Sequence, residues 1–315
     1  MNAGPFFTSR PPSAASNRPM TSPHFTIRPM TGALGAEIAG IDVATASDAA
    51  LDDLRAALVH HQVVAIRGQQ LDPAGLEAVT SRFGAFGEDP YVKPMPGFAN
   101  VLRLLKEADE EHPNVFGEAW HSDWSFLDTP PAFTLLYGQD IPVWGGDTMF
   151  ASMQRAYEAL SPAMVRMLEP LMGVHSARRG YSPAARGAMA DRLPNMEIVV
   201  SETAMDTRTH PVIRTHPETG RRALYVSAAY TIGIDGFNEP EAQALLGYLF
   251  DLSIDPRFTC RLRWEPGTLT IWDNRSVLHL PIGDYQGARR EMYRSTVAGD
   301  RPVLLPEGAQ AQPEH

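Results

Sequence analysis

The chain has 315 residues, 43% of them apolar and 20% charged, with a formal charge of −10 at pH 7 and one cysteine, Cys260. Length and apolar content allow one large domain with a substantial core. The negative balance gives a nucleic-acid partner no electrostatic support, the lone cysteine excludes an intrachain disulfide framework, and no apolar run approaches the ~20 residues of a membrane span. A cytoplasmic protein with no nucleic-acid or membrane partner is expected, and a homo-oligomer.

Residues 1–24 are rich in Pro, Ser, Thr and Asn and have no apolar centre. They predict a disordered tail, not a secretory signal, with Met20 as an alternative start. Order is expected from Phe25. Phe25–Met30 and Leu34–Val43 read as strands around a Thr31-Gly32 turn. Asp48 is placed to cap a helix to about Leu58, with Leu51, Leu54 and Leu58 at helical spacing. Gln62–Arg67 reads as a buried strand, Pro73–Phe83 as a helix stopped by Gly84, and Val101–Leu105 and Ala132–Gly138 as strands. Two helices are expected between Ser152 and Leu171, broken at Ser161-Pro162, then a short strand at Gly173–Ala177.

Arg178–Thr207 has no clear periodicity, and such a stretch inside a domain predicts a lid or an insertion. A hairpin is expected from His210–Arg214 and Ala223–Val226, joined by a turn-forming linker. A helix at about Glu239–Leu252 and strands near Cys260–Trp264, Thr268–Trp272 and Glu291–Ala298 complete one domain over 25–302, followed by a tail at 303–315. No βαβ alternation, internal repeat or glycine-rich phosphate loop is present. The elements predict a sheet-based core with helices packed outside it.

Two constellations carry chemistry. In an extended strand, His121 and Asp123 of Trp120-His121-Ser122-Asp123-Trp124 point to one side. They can take two adjacent metal positions, and a third ligand must come from elsewhere. Among the ten histidines, His175 on a predicted strand and His279 after Trp272-Asp273-Asn274-Arg275 both compete. Two His and one carboxylate leave three open positions, which suits non-haem iron(II); zinc can use a similar set with water. In the last predicted strand Arg290, Met292, Arg294 and Thr296 share a face. Two buried arginines need anions, either a ligand's or protein carboxylates such as Asp273 or Asp284.

The chain resembles the taurine dioxygenase and 2,4-dichlorophenoxyacetate dioxygenase family from about Phe25 to Pro302. The resemblance rests on LGAEIAGID, WHSDWSFLDTPP, GGDT, THPETGRRALYV, WDNRSVLH and REMYRSTVAGD, in family order and at family-like separations. It implies a mainly β fold with flanking helices around a double-stranded β-helix (jelly-roll) core. It implies that His121, Asp123 and His279 hold iron(II), and that Thr148 and Arg290 bind the distal carboxylate of 2-oxoglutarate. Arg294 matches the position that meets the acidic group of the prime substrate, and His175 falls back to a structural role. The implied reaction consumes O2 and 2-oxoglutarate, releases succinate and carbon dioxide, and hydroxylates a small anionic organic substrate. That substrate is an aryloxy or alkyl carboxylate, a sulfonate or a sulfate ester.

Gly117 stands where the taurine enzyme has a polar Asn, and resembles the aryloxypropionate dioxygenases there. Phe116 and Phe126 add aromatic area near the first ligand, and Tyr91 lies near another substrate-contacting position of the family. Two readings from other classes stay in view. One is a zinc-dependent hydrolase on the same triad, and the other is a non-catalytic binding protein.

Overall fold

The computed structural model describes residues 20–110, 115–185 and 193–306. Its main sheet has seven strands. In spatial order they are Thr26–Pro29, Ala36–Ala39, Val63–Ile66, Leu269–Asp273, Phe133–Asp140, Arg290–Val297 and Leu102–Lys106. Ala36–Ala39 and Val63–Ile66 run parallel, and the other neighbours are antiparallel. A three-stranded sheet of Thr259–Leu262, Thr148–Ser152 and Val277–Pro281 faces it. A second, of Thr231–Ile234, Met172–His175 and Arg208–Pro211, extends the walls of this jelly roll.

Alternation along the strands explains both layers of the core. Val63 and Ala65 face inward and pack with Leu136, Phe150, Leu262, Trp272 and Met292 between the sheets. Val64 and Ile66 face outward and pack under the helices, against Leu54, Leu58 and Leu76. A strand buried on both faces reads as a continuous apolar run, which is why QVVAIR shows no alternation in the sequence.

The helix at Asp48–His61 is capped by Ser47, whose hydroxyl accepts from the Ala50 amide, and not by Asp48. Asp48 is the first helical residue, where its negative charge favours the helix dipole. Asp72 caps Pro73–Ser81 by accepting from the Gly75 amide at 2.7 Å.

Three strands are absent from the sequence reading. Thr148–Ser152 runs straight into a helix that Ser152 itself caps, which hides the strand. Thr231–Ile234 has only four residues, two of them half-buried. Val277–Pro281 contains His279, which was expected to follow a strand and not to lie in one.

The hairpin is also shifted. Ile213–Thr215 pairs with Arg222–Leu224, while Arg208–Pro211 joins Met172–His175. The described parts of 178–207 are not structureless. They contain a short helix at Arg178–Tyr181 and 3-10 turns at Pro183–Ala185 and Glu202–Met205. The Val199 amide donates to the Tyr91 carbonyl at 2.9 Å, tying this segment to the loop around Tyr91. Arg186 lies outside the described residues, as do most of both expected tails. Within residues 20–24, the Ser22 hydroxyl donates to Asp53 at 2.7 Å.

Candidate active site

Backbone pairing brings the two candidate histidines together across 158 positions of sequence. The His121 amide donates to the His279 carbonyl at 3.1 Å, and the His279 amide returns a bond of 2.8 Å. Residues that exchange both bonds in an antiparallel pair stand opposite each other with side chains on one face. The two ring centroids are accordingly 4.1 Å apart.

Asp123 reaches the same place by a different route from the one its spacing predicts. The chain leaves the extended conformation after His121 and turns, with the Leu127 amide closing on the Trp124 carbonyl at 2.9 Å. Trp124 takes a φ of 46°, a costly conformation for a bulky L residue. Its indole nitrogen, 2.6 Å from Asp89, helps hold it there. Ser122 does point away, as alternation predicts, and its hydroxyl donates to the Asn274 carbonyl at 2.7 Å.

A hydrogen-bonded relay aims the Asp123 carboxylate. Oδ2 accepts from the Thr134 hydroxyl at 2.6 Å. The Thr134 oxygen accepts from the Asn274 amide nitrogen at 2.8 Å, and the Asn274 oxygen accepts from the Asp123 backbone amide at 3.2 Å. Oδ1 is left facing His121 Nε2 at 3.6 Å and His279 Nε2 at 3.8 Å. One ligand atom from each of the three residues lies within 4.8 Å of the others.

Protonation suits metal binding. His121 Nδ1 lies 2.6 Å from the Ala119 carbonyl, so the ring proton belongs on Nδ1 and Nε2 keeps its lone pair. Burial, reinforced by His121, pushes the His279 pKa down to about 3, leaving a neutral imidazole. Burial alone would raise the Asp123 pKa, but Arg294 and then His279 and His121 outweigh it and hold the carboxyl well below the usual carboxylate range. Two imidazoles and a carboxylate, all buried and converging, fit a divalent metal. His279 Nδ1 has no hydrogen-bond partner among the described residues.

Thr134 is a positioning residue in this geometry. Thr134→Val keeps the shape and removes the donor to Oδ2. Metal affinity should fall about 10- to 100-fold, the usual consequence of losing a bond that orients a ligand. Metal titration followed by fluorescence or calorimetry reads this directly, and an unchanged dissociation constant would remove Thr134 from the account.

The triad opens into a cavity that is also lined by Thr148, Arg290 and Arg294. The strand at Arg290–Val297 aims both arginines inward, and both are buried. They differ in their partners. Arg294 Nη1 is 2.5 Å from Asp89, and Nη2 is 3.2 Å from Asp123 Oδ1. Burial lowers the Arg294 pKa, but Asp123 and Asp89 more than restore it and leave it raised.

Arg290 has no carboxylate in an ion pair among the described residues. Nη2 donates to the Gly146 carbonyl at 3.2 Å, and Nε has no hydrogen-bond partner. Burial therefore lowers its pKa, against a smaller raising effect from Tyr285. Thr148 accepts from the Trp264 indole at 2.9 Å, which leaves its own hydroxyl proton free to donate. The protein carboxylates once in competition for these arginines are engaged elsewhere. Asp273 binds Arg275 at 2.7 Å and His216 at 2.9 Å, and Asp284 accepts from the Gly146 amide.

Of the remaining candidates, Phe116 lines the cavity, and Gly117 borders the first ligand. Gly117 has a φ of +81°, and a Cβ there would sit 2.8 Å from His121 Cε1, so both conformation and contact require glycine. Phe126 and Tyr91 are not among the cavity-lining residues. The turn at Trp124 sends Phe126 into an aromatic cluster behind the wall, 5.6 Å from Tyr91 and 5.0 Å from Tyr230. Tyr91 stacks on Tyr181 and its hydroxyl lies 3.2 Å from Thr203. His175 is structural, with Nδ1 3.1 Å from Ser125 and its ring stacked on Tyr225.

Asp89, Thr134 and Asn274 were not singled out in the sequence. Asn274 at least lay in the WDNR segment. Asp89 and Thr134 carry no local signal, because their roles depend on partners as much as 207 positions away.

A jelly roll with an inward His-x-Asp…His set, and a buried arginine in no ion pair among the described residues, is an arrangement suited to a metal-dependent oxygenase that consumes a 2-oxo acid. Residues 26–296 match the taurine catabolism dioxygenase TauD, TfdA family. The chain is 32% identical to an alkylsulfatase of Acinetobacter baylyi, over 87% of this chain and 85% of that protein. It is 32% identical to an alpha-ketoglutarate-dependent sulfate ester dioxygenase of Pseudomonas putida, over 90% and 93%. A taurine dioxygenase from Burkholderia xenovorans superposes with a TM-score of 0.75 at 31% identity, covering 91% of this chain and 95% of that one. The chain belongs to the TauD, TfdA family, and it is a 2-oxoglutarate-dependent dioxygenase. Among the described residues no helix is long and apolar enough to cross a membrane.

Proposed function

We propose that His121, Asp123 and His279 hold iron(II) and that Thr148 and Arg290 bind the distal carboxylate of 2-oxoglutarate. The observation that carries this reading is the contrast between two buried arginines in one cavity. Arg294 is already met by carboxylates, whereas Arg290 forms no ion pair with one among the described residues. A buried guanidinium without an anion is unfavourable by several kcal/mol, roughly, so the site is built for one that arrives with a ligand. The free Thr148 hydroxyl and the forked Arg290 together suit a carboxylate.

When bound, the metal supplies the oxygen activation that couples decarboxylation of 2-oxoglutarate to hydroxylation of the substrate. The chain's own part is positioning and dryness. The Thr134–Asn274 relay orients Asp123, and Leu104, Val115, Phe116, Leu193 and Met196 give the cavity an apolar lining. An apolar wall excludes water and strengthens every charged contact inside. Leu193 and Met196 bring the expected lid segment to this wall.

The substrate in this proposal is a small organic acid, whether a carboxylate, a sulfonate or a sulfate ester, with its acidic group toward Arg294. Support comes from Arg294 in the cavity and from the sulfate ester named for the Pseudomonas putida relative. Hydroxylation of the carbon beside a heteroatom would give an adduct that breaks down to a carbonyl compound. Anaerobic titration tests the cosubstrate site. Adding 2-oxoglutarate to the iron(II)-loaded protein should give a visible absorption band that saturates at one equivalent. A protein that binds iron(II) but gives no such band would sink the assignment of Arg290 and Thr148.

A further inference from the structure

We infer that Asp89 is a specificity-determining residue of the substrate pocket: it is an internal counter-ion that competes with acidic substrates for Arg294. This rests on the substrate reading above, in which Arg294 receives the acidic group.

The arrangement around Asp89 is built and not incidental. Its Oδ1 accepts from Arg294 Nη1 at 2.5 Å and from the Trp124 indole at 2.6 Å. Its Oδ2 accepts from the Thr296 hydroxyl at 3.1 Å. The Gly87 amide donates to the Thr296 carbonyl at 2.9 Å, which ties the loop carrying Asp89 to the strand carrying Arg294. The Arg294 side chain is 3% exposed and that of Asp89 12%, so water screens this pair poorly.

The consequence is one of charge. Arg294 faces the cavity, but Asp89 lies on one side of it and Asp123 on the other. The metal would compensate Asp123 when it binds, whereas among the described residues Arg294 is the cation paired with Asp89. A sulfate, sulfonate or carboxylate approaching Arg294 therefore meets a fixed negative charge at the same guanidinium. Like charges sharing a poorly screened site repel, and the incoming anion must share Arg294 or displace Asp89 from it. Asp89 thereby lowers affinity for compact anionic head groups and selects for substrates whose remaining contacts with the apolar wall offset that repulsion.

The test uses hexyl sulfate as the probe and anaerobic calorimetric binding to the full-length protein loaded with iron(II) and 2-oxoglutarate. Asp89→Asn keeps an oxygen for Trp124 and Arg294 and removes the charge; Asp89→Ser serves if the first variant does not fold. The variant should bind hexyl sulfate at least about tenfold more tightly than the wild type, and adding Arg294→Ala should erase the gain. Equal or weaker binding by the variant overturns the inference, as does a gain that persists without Arg294. The 2-oxoglutarate absorption titration is run on the same preparations. Loss of that signal in the wild type counts against the proposed function, whereas an intact signal with unimproved hexyl sulfate binding counts against Asp89 alone.

Discussion

Asp123→Ala should lower succinate formation by about a thousandfold or more while leaving the protein folded. Changing a residue that only orients a ligand typically costs 10- to 100-fold in metal affinity or activity, roughly, so loss of the ligand itself must exceed that. Asp123 is also the only acidic member of the triad, and its charge offsets that of the divalent metal. The fold should survive because Asp89 still neutralises Arg294, which is not left as a lone buried charge. The Thr134 hydroxyl loses its acceptor on Asp123, a cost of about 1–3 kcal/mol. Succinate assay and thermal unfolding on one preparation check both halves. A folded variant with wild-type succinate production would remove Asp123 from the metal site.

Arg290→Ala should raise the 2-oxoglutarate requirement about 30- to 1000-fold, the equivalent of roughly 2–4 kcal/mol for one buried, forked grip on a carboxylate. The same change should not destabilise the unliganded protein. Arg290 has no carboxylate partner among the described residues, so its removal orphans no anion and relieves a buried positive charge. A melting temperature equal to or above that of the wild type is expected, together with the weakened cosubstrate. Gain of stability with loss of binding is the signature of a residue kept for its ligand. If the variant instead loses affinity only for the prime substrate, the roles of Arg290 and Arg294 have been exchanged.

Much of the site was legible because its donors occupy short, patterned segments. Arg290, Met292, Arg294 and Thr296 alternate on one strand, and that periodicity survives intact. The strand at Val63–Ile66 was visible as an apolar run because both of its faces are buried. His121 and Asp123 were brought together by an argument that named the wrong conformation. The spacing was informative, but a turn with a left-handed Trp124 replaces the strand, and side-chain bonds supply what alternation was supposed to.

What sequence could not supply were the partners of each charged group. The difference between Arg290 and Arg294 is invisible in REMYRS. It arises because the loop at Asp89 folds against Thr296, while Arg290 meets the Gly146 carbonyl and the rings of Tyr285 and Trp264. The strand at Val277–Pro281 was hidden for a related reason. Its antiparallel register against Thr148–Ser152 is specified by the neighbouring strand and not by its own five residues.

The choice of metal at the His121, Asp123 and His279 site, iron(II) in the function proposed above, decides whether 2-oxoglutarate is consumed there. Succinate release under air, with an alkyl sulfate, a sulfonate and an aryloxypropionate supplied in turn, tests it most directly when iron(II) and zinc are compared on the same metal-free protein. Succinate is expected with iron(II), stimulated by at least one of the acids, and none with zinc. Substrate turnover with zinc and no succinate under either metal would contradict it.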